Sequence, residues 1–94
     1  MAHRIGWSQR ALQDLEAIAD YISKDSSAYA KTVVRNIVNQ TKMLARFPRA
    51  GRKVPEFDDE NIREVSAYSY RIIYQVGESG ITVAAVIHGK RLLQ

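Results

Sequence analysis

Three side chains could carry chemistry here, and each sits in a different stretch. The segment GRKVPE (51–56) ends in Glu56, after the cations Arg52 and Lys53. The stretch SYRIIYQV (69–76) carries Arg71, and HGKRLLQ (88–94) brings His88, Lys90 and Arg91. A carboxylate can take a proton and a guanidinium can stabilise developing negative charge. An imidazole with an ordinary pKa of about 6.5 can deliver a proton near neutrality. Each also has a structural alternative. Arg71 could pair with a sheet neighbour such as Glu64, Glu56 could pair with Arg52 or Lys53, and His88 could close a strand end. With no cysteine and only His3 and His88 as imidazole ligands, a thiolate zinc site is excluded. No metal or other cofactor is expected.

These residues must be positioned by a small fold. A chain of 94 residues argues for one domain spanning 1–94 with one modest core. Its 46% hydrophobic and 26% charged content fits an ordinary globular protein rather than a disordered one. The absence of cysteine favours the cytoplasm, as does the opening MAHRIGW, which lacks the apolar core of a signal peptide. No apolar run approaches the roughly 18 residues of a membrane span. A net charge of +4 and a pI near 9.6 lean toward a polyanionic partner, nucleic acid or an acidic protein.

Alternation in HRIGW (3–7) predicts a first strand. Ser8 then suits a helix N-cap. Ala11, Leu12, Leu15, Ile18, Ala19 and Ile22 recur at spacings of three and four, which predicts a helix over about 8–23, with Gln13, Asp14, Glu16 and Asp20 on its polar face. After the break SKDSS, a second run from Ala30 through Val33, Ile37, Thr41 and Leu44 predicts a helix of about twenty residues reaching Phe47, stopped by Pro48. The short link makes the two an antiparallel hairpin. Residues 48–60 read as one long irregular segment, a length often associated with function.

The C-terminal third reads as sheet. Strands are predicted at 61–67, 69–76 and 81–87, the last apolar on both faces and therefore central. In the middle one Tyr70, Ile72, Tyr74 and Val76 share one face, and Arg71, Ile73 and Gln75 the other. The order β-α-α-β-β-β predicts an α+β, two-layer domain. An N-terminal strand and the helical hairpin pack on a mainly antiparallel four-stranded sheet, whose second face is left partly open.

The pattern Trp7, Ala11, Asp14, Leu15, Ile18, Tyr21, Ile22 resembles the start of the RelE/ParE superfamily of toxins. The likeness continues through FP..GR.VPE (Phe47 to Glu56), IRE (Ile62–Glu64), YRIIY (Tyr70–Tyr74) and HGKR (His88–Arg91), covering nearly the whole chain in order. No one of these motifs is specific by itself. Together the resemblance implies the toxin of a bacterial type II toxin–antitoxin module, of plasmid-stabilisation type, neutralised by a cognate acidic antitoxin in a hetero-oligomer. It implies two possible targets. RelE-like members cut mRNA on the ribosome without metal, whereas ParE-like members poison DNA gyrase.

Metal-free RNA cleavage by the 2′-hydroxyl needs a base, cations for the phosphorane and an acid for the leaving oxygen. Under the resemblance these are Glu56, Arg71 and His88, with Arg52, Lys53, Arg63, Lys90 and Arg91 as nucleic-acid or target contacts. The chain departs from the nuclease pattern in two ways. RelE-type nucleases place lysines where this sequence has Ile62 and Glu64, and a carboxylate there repels phosphate. They also carry an aromatic near the C-terminus for base stacking, and the residues after Arg91 bring none; Tyr68 or Tyr70 would have to substitute. The expectation is therefore ParE-like action on gyrase. A ribosome-dependent nuclease using Glu56, Arg71 and His88 is the alternative. A non-toxic module that represses its operon with the antitoxin is a third reading, from another class.

Overall fold

The computed structural model describes residues 4–90. In order these form β1 (Arg4–Trp7), α1 (Gln9–Ser23), α2 (Ser27–Leu44), β2 (Arg52–Lys53), β3 (Ile62–Ala67), β4 (Tyr70–Val76) and β5 (Gly80–His88). The strands make one sheet in the order β1-β5-β4-β3-β2. Only β1 runs parallel to its neighbour, β5; the other pairings are antiparallel. A parallel pair needs a long crossover, and the helical hairpin supplies it. This is the expected α+β architecture, with β5 internal.

The sheet has five strands rather than four. The additional strand, β2, lies inside the stretch read as irregular, where Arg52 pairs with Glu64 and Lys53 with Arg63. A two-residue strand is too short to show alternation, so no sequence period marks it. Helix α2 also ends at Leu44 rather than Phe47. The amides of Ala45 and Arg46 turn back to Lys42 and Met43, which tightens the last turn before Pro48 restricts Phe47.

Both helices start where a serine satisfies an orphan amide. Ser8 Oγ accepts from Ala11 N at 3.0 Å and Ser26 Oγ from Tyr29 N at 3.1 Å, each cap worth about 1 kcal/mol. The apolar stripes of the helices bury Ala11, Ile18, Val33 and Ile37 against Ile72, Val83 and Val86 of the sheet. Leu44, Tyr74 and Ile81 extend this core toward the end of α2. A register shift between Ile73 and Tyr74 pairs them with Ala85 and Val83. Ala84 is thereby the extra residue of a bulge.

β1 ends opposite Val83, so the rest of the β5 edge needs other partners. Helix α1 provides them. Ser8 donates to the Ala84 carbonyl at 2.9 Å, and Asp14 accepts from Val86 N at 3.0 Å. The sequence placed Asp14 on the polar face of the helix and in the family-like pattern, without a structural role; it closes an otherwise exposed ladder.

The second face of the sheet is closed over part of its area. After β2 the chain crosses it, and Val54, fully buried, packs on Ile73, Ala85 and Ile87. Burying a valine contributes about 1.5–3 kcal/mol, which fastens the segment that carries Glu56.

Candidate functional site

Alternation puts Glu64 of β3 and Arg71 of β4 on the face away from the helices. Glu64 stands opposite Ile73, and Arg71 opposite Ser66, so the two are diagonal cross-strand neighbours. Arg71 Nε donates to Glu64 Oε1 at 2.8 Å. Its Nη1 and Nη2 donate to the two oxygens of Glu56, both at 2.7 Å. The other oxygen of Glu64 accepts from Arg52 Nε at 2.7 Å. The result is a chain of alternating charge, Glu56–Arg71–Glu64–Arg52.

Burial divides this chain. The side chains of Arg71 and Glu64 are 8% and 3% exposed, Glu56 is 15% and Arg52 is 70%. The Arg71 pKa is raised above its ordinary value, mainly by the hydrogen bonds it donates to Glu56, with desolvation opposing and Glu64 adding to the rise. Arg71 is therefore charged at every accessible pH, and its fork is committed to two carboxylates. The four groups sum to zero formal charge, which leaves little field for a phosphate.

The segment that delivers Glu56 is set by packing around Tyr74. The phenol, fully buried, donates to the Pro48 carbonyl at 2.7 Å and accepts from Gly51 N at 2.9 Å. A Cβ on Gly51 would sit 2.5 Å from the Glu64 carbonyl oxygen and 2.6 Å from Tyr74 Oη. Glycine is required there by close approach rather than by turn geometry. Desolvation raises the Tyr74 pKa, opposed by the Gly51 amide and more weakly by Arg63 and Arg49. Tyr74 was visible only as a strand residue, and nothing local marks its role in the loop.

The other sequence-predicted residues are not assembled with this cluster. His88 pairs with Tyr70 across the β4–β5 ladder and stacks edge-on to it at 6.1 Å. Tyr70 packs against the helix-side core, so His88 is on the opposite face from Arg71. Of Glu56, Arg71 and His88, the structure joins the first two and places the third on the other face of the sheet. Tyr70 shares the helix side. Tyr68 occupies the β3–β4 turn with φ 57°, its hydroxyl held by the Asn36 amide and its ring edge-on to Tyr29. Neither tyrosine offers a stacking platform beside Arg71.

Three of the expected contact cations are engaged within the chain. Besides Arg52, Lys53 pairs with fully exposed Asp58 at 3.2 Å. Arg63 donates to the Gly51 carbonyl at 2.9 Å and reaches Glu60. Lys90 is exposed, and Arg91 lies outside the described residues. No group of three or more His, Cys, Asp or Glu gathers among the described residues in a way that could hold a metal ion. No helix among them is long and apolar enough to cross a membrane.

Comparison with known proteins adds the wider frame. Residues 5–93 match the family described as the ParE toxin of the type II toxin–antitoxin system parDE. The chain is 31% identical over 90 residues to Toxin RelE2 of Caulobacter vibrioides, covering 95% of this chain and 98% of that one. Among solved structures it resembles a chain of the chromosomal ParDE toxin–antitoxin system from P. aeruginosa, with a TM-score of 0.76 and 22% identity, over 93% of this chain and 96% of that chain. The last likeness is one of fold.

Proposed function

This chain belongs to the ParE toxin family of type II toxin–antitoxin systems, and from that premise we propose that it arrests growth by binding DNA gyrase, without cutting RNA. Membership implies an antitoxin partner; the net charge of +4 favours an acidic one. A gyrase target places its action in the cytoplasm.

The observation that carries this reading is the state of Arg71. To hold a scissile phosphate, it would have to give up Glu56 and Glu64, both drawn within 2.8 Å of its nitrogens. Breaking such a buried arrangement costs several kcal/mol. The position where RelE-type nucleases carry a lysine holds Glu64, itself buried and anionic toward any incoming phosphate. Glu56, the base of the nuclease reading, is bound to Arg71, and the acid it would need, His88, faces the other way. What the cluster does instead is rigidify one face of the sheet and the segment crossing it.

Two assays on the purified chain test the proposal together. Gyrase supercoiling should be inhibited at stoichiometric toxin, with restoration by the antitoxin. mRNA on programmed ribosomes should stay intact. Ribosome-dependent cleavage would overturn the reading in favour of the nuclease. Inactivity in both assays, with operator binding by the toxin–antitoxin pair, would leave the repression module.

A further inference from the structure

Between Ser26 and Pro55 the chain carries Lys31, Arg35, Lys42, Arg46, Arg49, Arg52 and Lys53, and no aspartate or glutamate. Four of these form a line. At about 100° per residue, Lys31, Arg35, Lys42 and Arg46 fall within about 60° of arc on α2 and the residues just past its end. All four are exposed. Among the described residues none of the four has a carboxylate within ion-pair distance. Asp20, across the groove from Lys31 and Arg35, forms no ion pair with either.

Folding gives no reason for this stripe. Lys31 and Arg35 are one helical turn apart, and like charges at that spacing destabilise a helix. The helix dipole rewards cations near the C-terminus, which covers Lys42 and Arg46 but not Lys31 and Arg35 in the N-terminal half. The first turn of α2 has no acidic residue to offset them.

We propose that this face of α2 is a docking surface for the phosphate backbone of duplex DNA. The inference goes beyond the toxin reading and rests on charge geometry alone. From Lys31 to Arg46 the stripe extends roughly 22 Å, at 1.5 Å per residue. That length lies alongside about six phosphates of one strand, at 3.4 Å of axis each. A straight track of fixed charges suits a stiff duplex better than a flexible single strand. The stripe also contains no exposed large apolar side chain; Met43 and Phe47 only flank its end. An acidic polypeptide would need such anchors for affinity, whereas a phosphate backbone needs only spaced cations.

Fluorescence anisotropy of the full chain with a labelled 20-base-pair DNA duplex tests this. Affinity is measured across salt concentrations for three proteins: the parent, Arg35→Gln/Lys42→Gln, and Arg4→Gln/Arg10→Gln. The two variants have the same net charge, and neither removes a core contact. Each phosphate contact contributes about 0.9 to the slope of log K against log salt. The stripe variant should therefore lose about 1.8 from the slope and bind at least tenfold more weakly, while the control keeps the parental slope. Its urea midpoint should be no lower than the parent's, since repulsion is relieved. Equal losses in both variants would show attraction by net charge only and overturn the proposal. Unchanged DNA binding in the stripe variant would overturn it too. So would stripe-dependent binding of a 20-residue polyglutamate probe that exceeds binding of the duplex. Single-stranded RNA of equal length should bind with a smaller slope, and a larger one would refute the duplex preference.

Discussion

Replacing Arg71 by methionine keeps an unbranched apolar stem and deletes the guanidinium. The cost follows from what is left behind. Glu56 loses a two-point partner, both contacts at 2.7 Å. Glu64, 3% exposed, keeps only Arg52, which is 70% exposed and holds it weakly. Removing one member of a buried charge pair costs about 3–5 kcal/mol, because the remaining charge is stranded. Against a total stability of roughly 5–15 kcal/mol for a domain, the single variant should be near the edge of folding. Urea unfolding followed by circular dichroism reads the difference. The triple variant Arg71→Met/Glu64→Leu/Glu56→Leu should recover to within about 1–2 kcal/mol of the parent, since well-packed apolar groups often replace buried ion networks at little cost. Arg52→Met serves as the comparator and should cost less than about 1 kcal/mol. A single-variant loss below about 1 kcal/mol would mean the cluster is effectively solvated. A triple variant as unstable as the single one would mean the cost lies in packing rather than in stranded charge. Either result would also remove the argument that Arg71 is too firmly held to serve a phosphate.

Three further perturbations follow from the same geometry. Gly51→Ala drives a methyl into the Glu64 carbonyl and the Tyr74 hydroxyl at 2.5 and 2.6 Å, and should cost about 1–3 kcal/mol by urea midpoint. Tyr74→Phe leaves the buried Gly51 amide and the Pro48 carbonyl without their partner, for a loss of about 1–3 kcal/mol near neutral pH. The same substitution should flatten the alkaline limb. The folded Tyr74 pKa is raised above 10.0, so above that pH the unfolded tyrosine ionises first, and stability falls until the folded value is passed. That component should be missing from a pH titration of the phenylalanine variant. Asp14→Ala uncovers the Val86 amide; a loss of about 1–3 kcal/mol should come with faster hydrogen exchange at Val86, a site that unchanged exchange would show to be satisfied otherwise.

Much of the scaffold was legible because it is written in local periods. Spacings of three and four marked both helices, alternation marked β1 and β4 with Arg71 on the face opposite Ile72, and a run apolar on both faces marked β5. Ser8 announced its helix as a cap. These features depend on residues within a few positions of one another, where backbone geometry alone dictates which side chains share a face. The departure at Glu64 was also readable, since it needed only the identity of one residue at one place.

The assembly of the site was decided by tertiary structure. Glu56 and Arg71 are fifteen positions apart, and their pairing depends on the path of the segment after β2. That path is fixed by Tyr74 binding the chain at Pro48 and Gly51 and by Val54 packing on the sheet. Neither constraint has a sequence period. His88 could be placed at a strand end, but only the β4–β5 register and the helix side of Tyr70 assign its face. GRKVPE was expected to be an irregular segment holding a candidate base. It is instead a short edge strand followed by a strap, and its glutamate is half of a buried clasp. The types of charge were in the chain from the start; which charges neutralise one another was a matter of long-range distance, and Coulomb energy in a poorly solvated site is decided by that distance.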